Sequence, residues 1–272
     1  MQTRIASIQM TSTGDIEQNL KMVADFIQQA AVQGAHLVVL PEMFALMGMN
    51  PTEKCKYRET EGHGPIQDFL SKAAKQNQLW IVGGTLPIAA SQESLRSRAA
   101  CLVYNDKGEQ VARYDKVHLF DANLRASQEA YLESSTTEPG DQVVVVKTPF
   151  GRLGLAVCYD VRFPELFRFM HEQEVEMIAI PTAFTYTTGT AHWDVLVRAR
   201  AIENMAYVIA SCQTGAHPNG RRTFGHSMIV NPWGEVIASL ATDPGVIIAE
   251  INLDHMRQLR EDFPVLAHRK WK

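Results

Sequence analysis

The sequence predicts an α/β sandwich, and two observations carry that expectation. Several short β-rich runs are apolar along their whole length instead of alternating, which is how strands covered on both faces read. Between them lie longer stretches whose apolar residues recur every three to four positions, the helical period. No Pro/Ser-rich linker, low-complexity tract or internal repeat interrupts the 272 residues, so one domain over 1–272 is expected.

Ile5–Met10 reads as the first strand. Asp15-Ile-Glu-Gln18 looks like a capping box opening a helix that carries Ile16, Leu20, Val23, Ile27 and Ala30 on one face and stops at Gly34. Ala35–Leu40 is the next strand. A helix follows over Pro65–Gln76, then a buried run Leu79–Leu86, then a hairpin of Ala100–Tyr104 and Gln110–Tyr114 around Asn105-Asp-Lys-Gly108. Val143–Val146, Leu153–Val157 and Met177–Ile180 are β-rich, with a helix over Phe163–Gln173 between the last two. Trp193–Met205 reads as a helix, Tyr207–Ser211 as a strand, and Met228–Val230 with Val236–Leu240 as a hairpin around Asn231-Pro-Trp-Gly234.

Composition narrows the function classes. With 26 basic and 30 acidic residues, net charge −4, and the basic residues scattered, there is no electropositive stripe for nucleic acid. Cys55, Cys101, Cys158 and Cys212 lie far apart with no C-x-x-C, so neither a disulfide framework nor a thiolate zinc site is indicated. The first ten residues lack an apolar signal stretch, and no run approaches the ~20 apolar residues that span a bilayer. A soluble cytoplasmic protein, without membrane or nucleic-acid partner, is expected.

Three reactive side chains directly follow expected strands: Glu42, Lys116 and Cys158. Ligand sites in α/β sheets gather at strand ends. A thiol of ordinary pKa ~8.5 is mostly protonated at neutral pH, so a nucleophilic cysteine needs a base or a cation beside it. Glu42 and Lys116 supply one of each. Taken singly, each has an ordinary reading: a turn carboxylate, a surface cation, a small buried hydrophobe. His118 and His226 invite a Cys–His reading, but a glutamate-lysine-cysteine site leaves histidine unnecessary. His171-Glu172 lacks the second histidine of H-E-x-x-H, and no phosphate-binding glycine loop occurs, so neither metal nor nucleotide cofactor is expected.

Together, Leu-Pro-Glu42-Met-Phe, Tyr-Asp-Lys116-Val-His-Leu-Phe-Asp and Gly-Leu-Ala-Val-Cys158-Tyr-Asp-Val-Arg-Phe-Pro-Glu resemble, in this order, the three signatures of the nitrilase (carbon–nitrogen hydrolase) superfamily. The resemblance runs from Ile5 to about Pro264. It implies a four-layer α-β-β-α sandwich and a Glu42–Lys116–Cys158 triad, with Glu133 matching the family's second glutamate, although an ordinary loop carboxylate is the other reading. It further implies a thioester acyl-enzyme, with Lys116 and the Tyr159 backbone N–H as oxyanion hole.

Cys-Tyr-Asp-Val-Arg162-Phe-Pro-Glu and Ala183-Phe-Thr-Tyr-Thr-Thr-Gly189 resemble the amidases of 2-oxo acid amides. Gln213–Ser227 and Met256–Arg260 are closer to the branch cleaving deaminated glutathione; the ω-amidase branch, acting on α-ketoglutaramate, and a catalytically silent binding protein are the alternatives. Phe44, Arg162 and Thr188 are then expected to hold the 2-oxo acid end, and His217, Arg221 and Arg222 a dipeptide leaving group. Arg162 can equally pair with Glu165 or Asp160, and the loop can be solvated. The resemblance also implies a homodimer or higher homo-oligomer. Val195, Leu196, Ala199 and Ile202 form a helical stripe that fits such an interface or packing within the protomer.

Overall fold

A computed structural model describes residues 3–91, 94–125 and 128–271. The first half holds β1 (Thr3–Gln9), α1 (Ile16–Val32), β2 (Leu37–Val39), α2 (Glu53–Lys56), α3 (Pro65–Asn77), β3 (Trp80–Val82), β4 (Leu86–Ala89), β5 (Ser97–Tyr104) and β6 (Gln110–Asp115). A hairpin of β7 (Asp121–Leu124) and β8 (Glu129–Leu132) leads to β9 (Val145–Thr148), β10 (Gly151–Leu155), α4 (Pro164–Glu172), β11 (Met177–Thr182), α5 (Tyr186–Asn204) and β12 (Tyr207–Cys212). The last part adds β13 (Thr214–Ala216), β14 (Arg222–Phe224), β15 (Met228–Val230), β16 (Val236–Ser239), β17 (Gly245–Ile251) and α6 (Leu253–Asp262).

Two sheets stack. One runs β17-β1-β2-β3-β5-β4 with β6 added to β5, the other β16-β15-β12-β11-β10-β9. Each has a parallel centre, β1-β2-β3 and β10-β11-β12. Successive residues of the central strands feed different cores, which explains their unbroken apolar runs. Leu37, Val39, Trp80 and Val82 pack toward the second sheet, whereas Val38 and Ile81 pack under α1 and α3 with Val23, Ile27, Leu70 and Ala74. The second sheet is covered in turn by α4 and α5 through Phe167, Met170, Trp193 and Val197. The result is the expected four-layer α-β-β-α sandwich. Where β1 meets β12, the hydroxyl of Ser7 donates to Ala210 O at 3.0 Å and that of Ser211 to Ile8 O, closing polar groups the dry interface would otherwise strand.

Several expectations need correction. The Asp15 carboxylate does cap α1, accepting from Gln18 N at 3.1 Å, but Gln18 leaves the box open and Thr13 Oγ1 takes the Asp15 N–H instead. The run Leu79–Leu86 is buried, yet it divides into β3 and β4 at Gly83-Gly84. Gly84 has φ +52°, and a Cβ there would stand 2.1 Å from Pro41 O. That approach holds Pro41, and with it Glu42, at the end of β2. Helix α5 begins at Tyr186, well before Trp193. The Thr/Gly-rich first turns have weak helix propensity, and tertiary contacts override it: Thr185 Oγ1 accepts from Thr188 N at 3.3 Å, and Gly189 lies so close to Phe224 that a Cβ would meet the ring carbon at 2.4 Å. The stripe on α5 is divided: Leu196 packs against the core of the protomer, whereas Val195 is 67% and Ile202 47% exposed. No helix among the described residues is long and apolar enough to cross a membrane.

Candidate active site

The ends of the parallel strands converge. Glu42 follows β2, Cys158 follows β10 and Ala183 follows β11. Strand β6 runs in the same sense as β3, because both are antiparallel to β5, so Lys116 leaves the sheet at the same edge. Glu133 arrives on a single 3₁₀ turn after β8.

Lys116 is 2% exposed and bridges two carboxylates: Nζ lies 2.8 Å from Glu42 Oε1 and 2.9 Å from Glu133 Oε2. The other oxygen of Glu42 accepts from Ala183 N at 2.8 Å, and Gln213 Nε2 holds the Glu42 carbonyl at 3.0 Å. Phe120 N donates to Glu133 Oε2 at 2.7 Å. Burial works against the Lys116 charge, but the Glu133 and Glu42 carboxylates outweigh it and hold the ammonium well above the ordinary lysine range. Burial likewise opposes ionisation of Glu133, and the charges of Lys116 and Lys54 with the Phe120 N–H hold its carboxyl below the usual value.

Cys158 sits in the left-handed region at φ +47°, a conformation that costs a residue other than glycine on the order of 1–3 kcal/mol and persists where surrounding bonds enforce it. They do so here. Asp160 N donates to Val157 O at 3.0 Å and Val157 N donates back to Asp160 Oδ2 at 2.8 Å, closing a tight turn around the cysteine. Asp160 is fully buried and also accepts from Tyr114 Oη at 2.7 Å and His118 N at 3.0 Å, with His118 Nδ1 at 2.7 Å. One carboxylate thus ties the cysteine turn to the segment after Lys116. Burial, then the Glu42 charge, push the Cys158 thiol up to about 12 against the pull of Lys116. The resting sulfur keeps its proton.

A cavity of about 290 Å³ opens over these groups. Of the residues expected there, Glu42, Lys116, Glu133, Cys158, Tyr159, Arg162, Thr188 and Arg221 line it. Arg162 stacks over Phe184 at 4.9 Å and meets His192 Nδ1 at 3.2 Å, and among the described residues no carboxylate pairs with it. The alternative pairing with Glu165 or Asp160 therefore does not form.

Three expectations fail. Phe44 is fully buried under α1 and α3, against Gly84, because Met43 takes φ +58° and turns its own side chain into the cavity instead. His217 is buried away from the cavity with both ring nitrogens engaged, Nδ1 at 2.8 Å from Ser12 O and Nε2 at 2.8 Å from Thr223 Oγ1. Since a carbonyl only accepts, Nδ1 carries the proton and the Thr223 hydroxyl donates to Nε2. Burial lowers its pKa, so it is a neutral structural histidine. Arg222 is exposed over the Tyr186 ring and does not line the cavity.

The sequence reading missed Lys54, which lines the cavity from α2. Nothing in Glu-Lys-Cys-Lys distinguishes it from a surface charge.

A thiol, a carboxylate and a fixed ammonium facing one cavity are groups suited to nucleophilic attack on a carbonyl carbon. The chain belongs to the carbon–nitrogen hydrolase family, whose sequence model matches residues 4–261. It is 43% identical over 266 residues to the deaminated glutathione amidase of a Synechocystis species, covering 97% of each chain. To the deaminated glutathione amidase of Homo sapiens it is 41% identical over 269 residues, 98% of this chain and 82% of that one. Among solved structures, the C. elegans NitFhit protein superposes with a TM-score of 0.91 at 36% identity; the match covers 99% of this chain and spans 65% of that longer one.

Proposed function

We propose that the protein is a cysteine amidase that cleaves deaminated glutathione to 2-oxoglutarate and cysteinylglycine. The observation that carries the chemistry is the Glu42–Lys116–Glu133 chain of ion pairs sharing a cavity with Cys158. As substrate binds, Glu42 takes the thiol proton and the sulfur bonds to the amide carbon, placing the negative charge on oxygen. Lys116 Nζ and the Tyr159 N–H receive that oxyanion. Its collapse breaks the C–N bond as Glu42 returns the proton to the departing nitrogen, leaving a thioester. Water, losing a proton to Glu42, then adds to the thioester carbon, and collapse breaks the C–S bond, releases the acid and returns the Glu42 proton to the sulfur. Glu133 orients Lys116.

The substrate rests on the relatives' names and on charge. Lys54, Lys116, Arg162 and Arg221 face Glu42 and Glu133 across the cavity, an excess of two positive charges. Deaminated glutathione carries two carboxylates and α-ketoglutaramate one. The expected outcome is a higher kcat/KM for deaminated glutathione than for α-ketoglutaramate with purified enzyme. The opposite preference assigns the protein to the ω-amidase branch, and turnover of neither removes the substrate assignment.

Two further expectations complete the reading. The four cysteines are unpaired, in keeping with a reducing cytoplasmic setting. Val195 and Ile202, exposed on α5, are the face through which the chain is expected to pair with a second copy. Light scattering should give about twice the 30.4 kDa chain mass, and Ile202→Glu should shift it toward monomer; a wild-type monomer at high concentration contradicts the pairing.

A further inference from the structure

We propose that Lys54 is the receptor for a carboxylate of the substrate. The inference rests on the reading of the substrate given above and sharpens it to one residue. Lys54 shares the cavity with Cys158, Lys116 and Glu133, yet its hydrogen bonding is sparse. Among the described residues its ammonium donates only to the Thr137 hydroxyl, at 2.5 Å, and no carboxylate lies within ion-pair distance. An ammonium has three donors. At least two are left for a group that enters the cavity.

Among the described residues the other cations of the cavity each have a carboxylate or an aromatic face as partner, which Lys54 lacks, although Arg221 Nε is buried without a hydrogen bond. Lys116 is held between Glu42 and Glu133. Arg221 donates to Ala183 O at 2.5 Å and covers the Tyr131 ring at 5.5 Å. Arg162 spends its guanidinium on the Phe184 and Tyr159 rings and on His192. Burial lowers the pKa of Lys54, with the more distant Glu133 opposing and Lys116 assisting the shift. A bound anion reverses that balance, since an ion partner favours the charged form. Burying a cation's tip against one neutral hydroxyl is unfavourable for folding alone, and it becomes favourable when a carboxylate fills the remaining donors.

Deaminated glutathione offers such a group at each end, the 2-oxo acid and the terminal glycine. The test compares wild type, Lys54→Met and Lys54→Arg on deaminated glutathione, on its C-terminal carboxamide and on α-ketoglutaramate. With deaminated glutathione, Lys54→Met should lose about 10- to 100-fold in kcat/KM, mainly through KM, while Lys54→Arg retains most of it. Parity of Lys54→Met with wild type on the carboxamide places Lys54 at the glycine end. Equal losses on all three substrates place it at the 2-oxo acid end. Parity on every substrate overturns the proposal, as does a loss confined to kcat, which would mean that Lys54 acts only by supporting Glu133.

Binding gives a readout without turnover, so failure of the substrate reading stays separate from failure of this one. Calorimetric titration of wild type and Lys54→Met with 2-oxoglutarate and with cysteinylglycine should show about tenfold or more weakening for one of them. Equal affinities of the two proteins for a product that wild type binds overturn the assignment to Lys54, whereas binding of neither product by wild type overturns the substrate reading and the assignment with it.

Discussion

Replacing Cys158 with serine or Lys116 with methionine is expected to lower kcat by at least about 10²–10³-fold, the scale on which a lost oxyanion donor is felt. The two changes remove different parts of one unit. Serine keeps the shape of the turn at φ +47° but offers Glu42 a far weaker acid and the carbonyl a poorer nucleophile. Methionine keeps the bulk of Lys116 but leaves Glu42 and Glu133 buried without the ammonium that each touches within 3 Å. Two uncompensated carboxylates cannot both stay ionised there, so one takes up a proton. If that is Glu42, the proton acceptor is lost together with the oxyanion cation, and the effects should not add in the double variant. The resting enzyme offers a second check. With its thiol pushed up to about 12, subtracting the Cys158→Ser spectrum from wild type should leave no thiolate absorbance near 240 nm at pH 7. A Lys116→Met enzyme with near-normal turnover would sink the assignment.

How much of this was legible beforehand follows from what each kind of residue needs. The central strands announce themselves because Leu37, Val38 and Val39 are apolar and mostly β-branched in succession, as in a strand covered on both faces. The catalytic candidates follow strands, but it is the three motifs around Glu42, Lys116 and Cys158 taken together that single them out. The start of α5 was invisible, since Tyr-Thr-Thr-Gly-Thr is a poor helix former whose helicity depends on Phe224, far along the chain. Phe44 and His217 were misplaced for a related reason. Which way a side chain points after Glu42 depends on the positive φ of Met43, and His217 is claimed by Ser12, more than two hundred residues earlier. Lys54 reaches the cavity only through the packing of a four-residue helix beside Thr137. Local pattern carries no trace of such long-range choices.

Asp160→Ala is expected to destabilise the fold by about 3–5 kcal/mol, although Asp160 touches no reacting atom. Its carboxylate is fully buried and receives the Tyr114 hydroxyl at 2.7 Å, Val157 N at 2.8 Å and His118 N at 3.0 Å. Alanine abandons all three donors. The His118 ring, which also meets the carboxylate, is partly exposed and can turn to water, but Tyr114 is buried and Val157 lies in the core, so their orphaned donors bear about 1–3 kcal/mol each. At about 2–4 °C per kcal/mol for a chain of this size, the melting temperature should fall by roughly 6–20 °C. Asp160→Asn keeps one oxygen and should fall less, because that oxygen can still accept two donors while the amide NH2 presents N–H groups where an acceptor is needed. Activity should drop in the asparagine variant below its melting point as well. The bond from Val157 N to Asp160 closes the left-handed turn at Cys158, and loosening that turn should shift the sulfur in the cavity it shares with Lys116. The loss should appear in kcat with KM little changed, as expected of a positioning residue. An Asp160→Ala protein melting within about 2 °C of wild type would show that the buried network is not what fixes the turn.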